Sequence, residues 1–188
     1  MVSIAHHMST GIEHQRTPLM SIAPQQDRRE RELDAARRIS EALFQHLSVE
    51  ELVEQSLKIA LEVVNSQAGC VLLAKPETKE LVFYHAIGDK APEPGTAFPW
   101  TQGIAGSVFA KGEPMVVQDV KGDQRHFEKI DHNTGFTTQD MIALPLKRWE
   151  GHPIGVLEVM NKRDGRLDQD DVAILTIIAS FTALSIEQ

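Results

Sequence analysis

In this chain of 188 residues, eight histidines and one cysteine are the side chains that first suggest chemistry. Metal binding needs ligands at close, regular spacing. His6 and His7 lie in an irregular opening segment, His126 and His132 do not sit at the i, i+4 spacing of one helix face, and no cysteine accompanies them. No metal site is expected. Asp168, Asp170 and Asp171 resemble the start of a calcium loop, but the alternating oxygen ligands and closing glutamate are missing, and helix capping explains them better. Cys70 cannot close an intramolecular disulfide or complete a Cys-x-x-Cys pair, which suits a reducing cytoplasm and a small buried side chain. Walker, Gly-x-Gly-x-x-Gly, Gly-x-Ser-x-Gly and His-Glu-x-x-His signatures are absent from the sequence, so no catalytic residues are assigned and an enzyme is not expected.

A net charge of -8 and 5% aromatic residues argue against a phosphate-tracking or base-stacking surface, so nucleic acid is not an expected partner. With 41% hydrophobic residues the chain can bury one sizeable core. Its first residues lack the cationic start and apolar block of a secretory signal. The uncharged stretch 172–186 is shorter than the roughly 20 residues a bilayer requires, and Thr176, Ser180, Thr182 and Ser185 interrupt it. It reads as a buried helix, with no membrane partner.

Residues 1–26 mix proline, glycine, glutamine and histidine without periodicity and read as a disordered extension; 27–188 read as one domain. Leu33, Ile39, Leu43 and Leu47 form an apolar stripe on a charged helix, and Ser48 with Glu51 has the form of a capping box opening a second helix. Period-two runs at 70–74 and 81–86 predict a hairpin, 103–110 a short helix, 115–120 a strand, and 141–146 with 154–160 two more. A helical turn is expected near 124–129, and Asp168 caps the last helix. Five clear strands in antiparallel order, with helices gathered on a face, define an α+β fold.

The strings Gly103-Ile104-Ala105-Gly106, Thr134-Gly135-Phe136-Thr137-Thr138, Pro145-Leu146 and 154–162 occur in the order found in GAF domains. From about Ser48 to Gln188 the chain resembles the regulatory GAF domains of cyclic-nucleotide phosphodiesterases and cyanobacterial adenylate cyclases. That resemblance implies a six-stranded antiparallel sheet, with terminal helices on one face and a ligand pocket under helices and loops on the other. The sixth strand would fall in 97–101. Free methionine sulfoxide reductases share this fold, but a single cysteine cannot complete their disulfide cycle.

Carried over residue by residue, the resemblance implies ligand contacts at Cys70, at the Ile104 and Ala105 amides, and at Asp131, Thr134, Thr138 and Glu158. Thr134 can equally cap a turn, and Glu158 can equally face solvent. The base-stacking aromatic falls at Ala86, leaving Phe83, Tyr84 or Phe127 to replace it. Arg125, with His126, is a candidate for meeting a phosphate or is simply solvated. A latch pattern falls on Asn161, Lys162 and Asp171, while Leu167 and Val172 depart from it; Asp171 serves either to pair with Lys162 or only to cap the helix.

The expected function is a cytoplasmic sensory module that binds a small molecule, with cAMP or cGMP as the leading candidates, and signals through its terminal helices to a separate output protein or domain. A homodimer is expected through Leu33, Ile39, Leu43, Leu47, Leu175, Ile178 and Phe181. The rival expectation is a structural dimerisation module with no ligand.

Overall fold

Alternating apolar residues produce six strands, β1 (Ser66–Lys75), β2 (Glu80–Ile87), β3 (Ala97–Pro99), β4 (Met115–Val117), β5 (Met141–Leu146) and β6 (Gly155–Lys162). They form one antiparallel sheet in the order β3-β2-β1-β6-β5-β4. The helices are α1 (Ile22–Leu43), α2 (Val49–Val63), α3 (Gly103–Lys111) and α4 (Gln169–Ile186). A computed structural model describes residues 22–45, 47–125, 134–148 and 150–187.

The sixth strand is β3, paired with β2 through Leu81 and Phe98. The strand expected over 115–120 ends at Val117, and Val120 instead donates its N–H to the Gln139 carbonyl at 2.9 Å. Most of the turn expected near 124–129 lies outside the described residues. Residues 22–26, placed by sequence in the irregular extension, are the first turns of α1.

Helix starts follow their local chemistry. The Ser48 hydroxyl accepts from Glu51 N at 3.3 Å while Ser48 N donates to the Glu51 carboxylate at 2.8 Å. Asp168 and Asp171 form the same reciprocal box at the start of α4.

Helices α1, α2 and α4 cover one face of the sheet. There Val53, Leu57, Ile174, Leu175 and Ile178 pack on Val71, Ile142, Leu144, Leu157 and Val159. Each such side chain gains about 1.5–3 kcal/mol from burial. Gly69 permits the close approach of α2, since a Cβ there would lie 2.9 Å from Leu61 Cδ2 and 2.7 Å from the Glu158 carbonyl. Helix α4 has the length and apolarity to cross a membrane, yet 56% of it is buried in this fold.

The stripe expected to drive dimerisation is largely consumed within one chain. Ile39, Leu175, Ile178 and Phe181 are buried in the helical core, so they offer nothing to a second copy. Among the described residues, the large apolar side chains left exposed are Leu33 and Leu43 on α1, Phe44 just after it, and Ile177 and Leu184 on α4. Helix α1 is held by Ala35, Ile39 and Ala42 and by ion pairs of Arg28 with Asp170, Arg31 with Asp171 and Arg38 with Glu62.

Candidate functional site

The opposite sheet face is built from smaller side chains. One cross-strand row runs Ala86, Cys70, Glu158, Ala143 from β2 to β5, and beside it Ala68, Met160 and Met141 form the next. Phe83 and Phe98, with ring centroids 6.0 Å apart, close one side. The α3 N-terminus, residues 89–92 and residues 134–138 stand over this floor. Among the described residues this partly open cavity measures about 80 Å³. Small-molecule pockets usually hold roughly 300–1,000 Å³, so a ligand of nucleotide size requires the roof to open.

Six of the eight contacts implied by sequence converge here: Cys70, Ile104, Ala105, Thr134, Thr138 and Glu158. Glu158 is 7% exposed and points into the cavity rather than to solvent. The Cys70 thiol donates to its Oε2 at 3.4 Å. Burial, and then the Glu158 charge, push the Cys70 thiol well above its usual range, so with the cavity closed it is held as a neutral donor to Glu158 and reacts only when opening exposes it to water. Thr138 is buried, and its hydroxyl lies 4.0 Å from the Met160 sulfur. Thr134 lines the cavity, and its Oγ1 accepts from Phe136 N at 3.2 Å as a turn cap would.

The α3 entry suits an anion. Gln102 gives no side-chain cap, Gly103 has φ +76°, and Ile104 and Ala105 line the cavity at the first turn, where helix N–H groups lack intrahelical acceptors.

Arg125 is placed apart from the six. It lies outside the cavity lining, and its backbone N and Nε both donate to Asp123 Oδ1 at 2.8 Å, because a carboxylate two residues away satisfies the guanidinium locally. Asp131 and the possible stacking residue Phe127 fall outside the described residues. Of the other replacements for the aromatic at Ala86, Phe83 lines the cavity, whereas Tyr84 packs toward the helices.

Asn161, Lys162 and Asp171 do come together. Lys162 Nζ donates to Asp171 Oδ2 at 2.8 Å and Oδ1 at 3.0 Å, with the two side chains 16% and 1% exposed. Asp171 also accepts from Asp168 N at 3.1 Å, so it is ion pair and helix cap together. Asn161, at φ +59°, donates Nδ2 to the Thr137 carbonyl at 2.9 Å and accepts from Gln139 N at 2.8 Å.

Asp140 was not anticipated. Buried at 2% exposure, it accepts from Lys162 N at 3.2 Å and Leu167 N at 2.7 Å, tying the segment after Thr138 to the loop entering α4. A lone acid just before an apolar strand was its only signal. Lys90, also missed, lines the cavity and donates to the Gly135 carbonyl at 3.1 Å. Among the described residues no group of three His, Cys, Asp or Glu side chains is placed to hold a metal.

The chain is thus an antiparallel sheet with helices on one face and a cavity on the other. The GAF domain profile matches residues 46–187, and the chain belongs to the GAF domain family. It is 33% identical over 90 residues to the dual 3',5'-cyclic-AMP and -GMP phosphodiesterase 11A of Takifugu rubripes, covering 47% of this chain and 10% of that protein. It is 24% identical over 164 residues to a probable 3',5'-cyclic phosphodiesterase, pde-5, of Caenorhabditis elegans, covering 82% of this chain and 22% of the relative. The chain thus spans only a minor part of these relatives. In fold it is similar to the GAF domain of a phosphoenolpyruvate-protein phosphotransferase from Coxiella burnetii, with TM-score 0.72 and 14% identity over 84% of this chain and 94% of that one. Helix α1 lies N-terminal to the matched region.

Proposed function

We propose that this domain is a non-enzymatic, cytoplasmic sensory module that binds a small molecule in the cavity and passes binding to its helices. The observation that carries this reading is the wiring beneath the site. Thr138 in the cavity adjoins Gln139 and Asp140, which hydrogen-bond Asn161, Lys162 and Leu167, and Lys162 pairs with Asp171 at the head of α4. Arg31 of α1 approaches the same carboxylate at 3.7 Å. A ligand that favours one position of the 137–140 segment therefore biases the helical layer.

The finer proposal is a cyclic nucleotide, cAMP or cGMP. It is supported by the phosphodiesterase relatives, by the amide-lined α3 entry for a phosphate, and by Thr134, Thr138 and Glu158 as partners for ribose and base. Calorimetry with each nucleotide tests it. Binding is expected to weaken in Thr138→Ala and Glu158→Ala by about 1 kcal/mol per lost hydrogen bond, more where charge is involved, with an unchanged circular dichroism spectrum. Absence of binding by both nucleotides at high micromolar concentration sinks the cyclic-nucleotide proposal and leaves a smaller ligand.

A second reading, a structural dimerisation module, is favoured by the 84% exposed Phe44 and 70% exposed Leu33. Light scattering decides whether a homodimer forms, and Leu43→Glu is expected to weaken it by placing a charge in an apolar contact. Output would then pass to a separate protein or domain.

A further inference from the structure

The cavity mouth is crossed by a side chain the family resemblance did not supply. Lys90 lies between β2 and β3 with φ +60°, an uncommon conformation for a lysine. Its ammonium donates to the carbonyl of Gly135, which sits between the cavity-lining Thr134 and Phe136, at 3.1 Å. Gly135 has φ +69°, and a Cβ there would approach Lys90 Nζ to 3.5 Å, so the turn that presents this carbonyl suits glycine. Both loops line the cavity, whose 80 Å³ is too small for most metabolites until they part.

We propose that Lys90 gates this cavity and selects its ligand by charge: the bond to Gly135 holds the roof down, and an incoming anionic small molecule takes over the ammonium. The partner it leaves is a neutral carbonyl, and an anionic group offers a stronger, charge-assisted bond. Exchange of one partner for the other opens the roof without leaving the ammonium unbonded. This rests on the reading that the cavity takes a small molecule, and it adds the sign of the group at the mouth.

The protein carries its own reporter, because Cys70 is its single cysteine and is buried on the cavity floor. The rate at which a disulfide reagent modifies Cys70 measures roof opening with no ligand present. Two probes are used, neutral dithiodipyridine and anionic dithiobis(nitrobenzoate). Lys90→Met is expected to raise the rate with the neutral probe about five-fold, the order of effect of losing one hydrogen bond from a local closing equilibrium. The anionic probe should gain about three-fold less, since it loses the ammonium that attracts it, and this difference should shrink in high salt. Lys90→Arg should restore both rates.

Unchanged rates in Lys90→Met overturn the gate. Equal acceleration of both probes overturns the charge selection. Ile178→Val, which loosens the helical core away from the mouth, is the control for global unfolding. If it matches Lys90→Met at equal loss of melting temperature, Cys70 reacts through unfolding and the gate is again overturned. Failure of cyclic nucleotides to bind leaves these rates untouched, so the two readings fail separately.

Discussion

The two faces of the sheet are made by the same strands and do opposite work. On β6, Leu157 and Val159 turn to the helices while Val156, Glu158 and Met160 turn to the cavity side. On β5, Ile142, Leu144 and Leu146 face the helices, and Met141 and Ala143 face the other way. Period-two alternation therefore sorts the sequence into a bulky aliphatic set and a set dominated by small, flexible or polar side chains. The helical face fills its volume and supplies stability. The other face leaves volume unfilled, and Glu158 would be costly in a closed apolar core without hydrogen-bonding partners. Polarity and space on one face are tolerated because the close-packed apolar face behind it supplies the stability.

The largest expected effect follows directly. Leu157→Ala should cost about 2–5 kcal/mol in urea denaturation, because its surroundings are close-packed and leave a cavity. Met160→Ala, two residues along β6 from Glu158 on the same face and already beside the cavity, should cost clearly less. Equal losses would mean that both faces are packed alike, and the contrast would fail.

The second prediction concerns the place where the faces meet. An exposed Lys–Asp pair contributes under about 1 kcal/mol, whereas breaking a buried one costs about 3–5 kcal/mol. With Asp171 fully enclosed and Lys162 partly open, Lys162→Ala should fall between these limits, at about 2 kcal/mol. A double-mutant cycle with Asp171→Ala, scored by stability and by ligand affinity, separates cap from latch. Coupling in both readouts supports a latch that favours the bound form. Strictly additive losses in affinity would reduce Asp171 to a helix cap and disconnect the cavity from the helices.

The sequence revealed these regions unequally. Helix caps such as Ser48 with Glu51, and Asp168, are local rules that need no knowledge of the rest of the chain. Cys70 and Glu158 were legible through the family resemblance, and the structure pairs them as direct neighbours across β1 and β6 on one face of the sheet. Asp140 and Arg31 were not legible. Their partners lie across loops and layers, at Leu167 and Asp171, and no spacing along the chain encodes that proximity. Arg125 shows the opposite case. Its hydrogen bonds go to Asp123, two residues away, a partner that local sequence alone supplies.

The smallest effect probes whether the cavity floor is dry. Burial and Glu158 raise the Cys70 thiol in the folded chain, while an unfolded thiol ionises at about 8.5. Above that pH the unfolded chain releases its proton first, so the unfolded state is favoured and stability falls as pH rises toward the folded value. The contribution is present in full below about pH 8.5 and declines above it by at most about 1.4 kcal/mol per pH unit. Tyr84, raised by burial and by Glu50, adds a decline of the same sign, but it is common to wild type and Cys70→Ala and cancels in their difference. The stability of wild type relative to Cys70→Ala should therefore drop through the alkaline range. Parallel curves would show that water already reaches the thiol, and the two faces would then differ in volume but not in dryness.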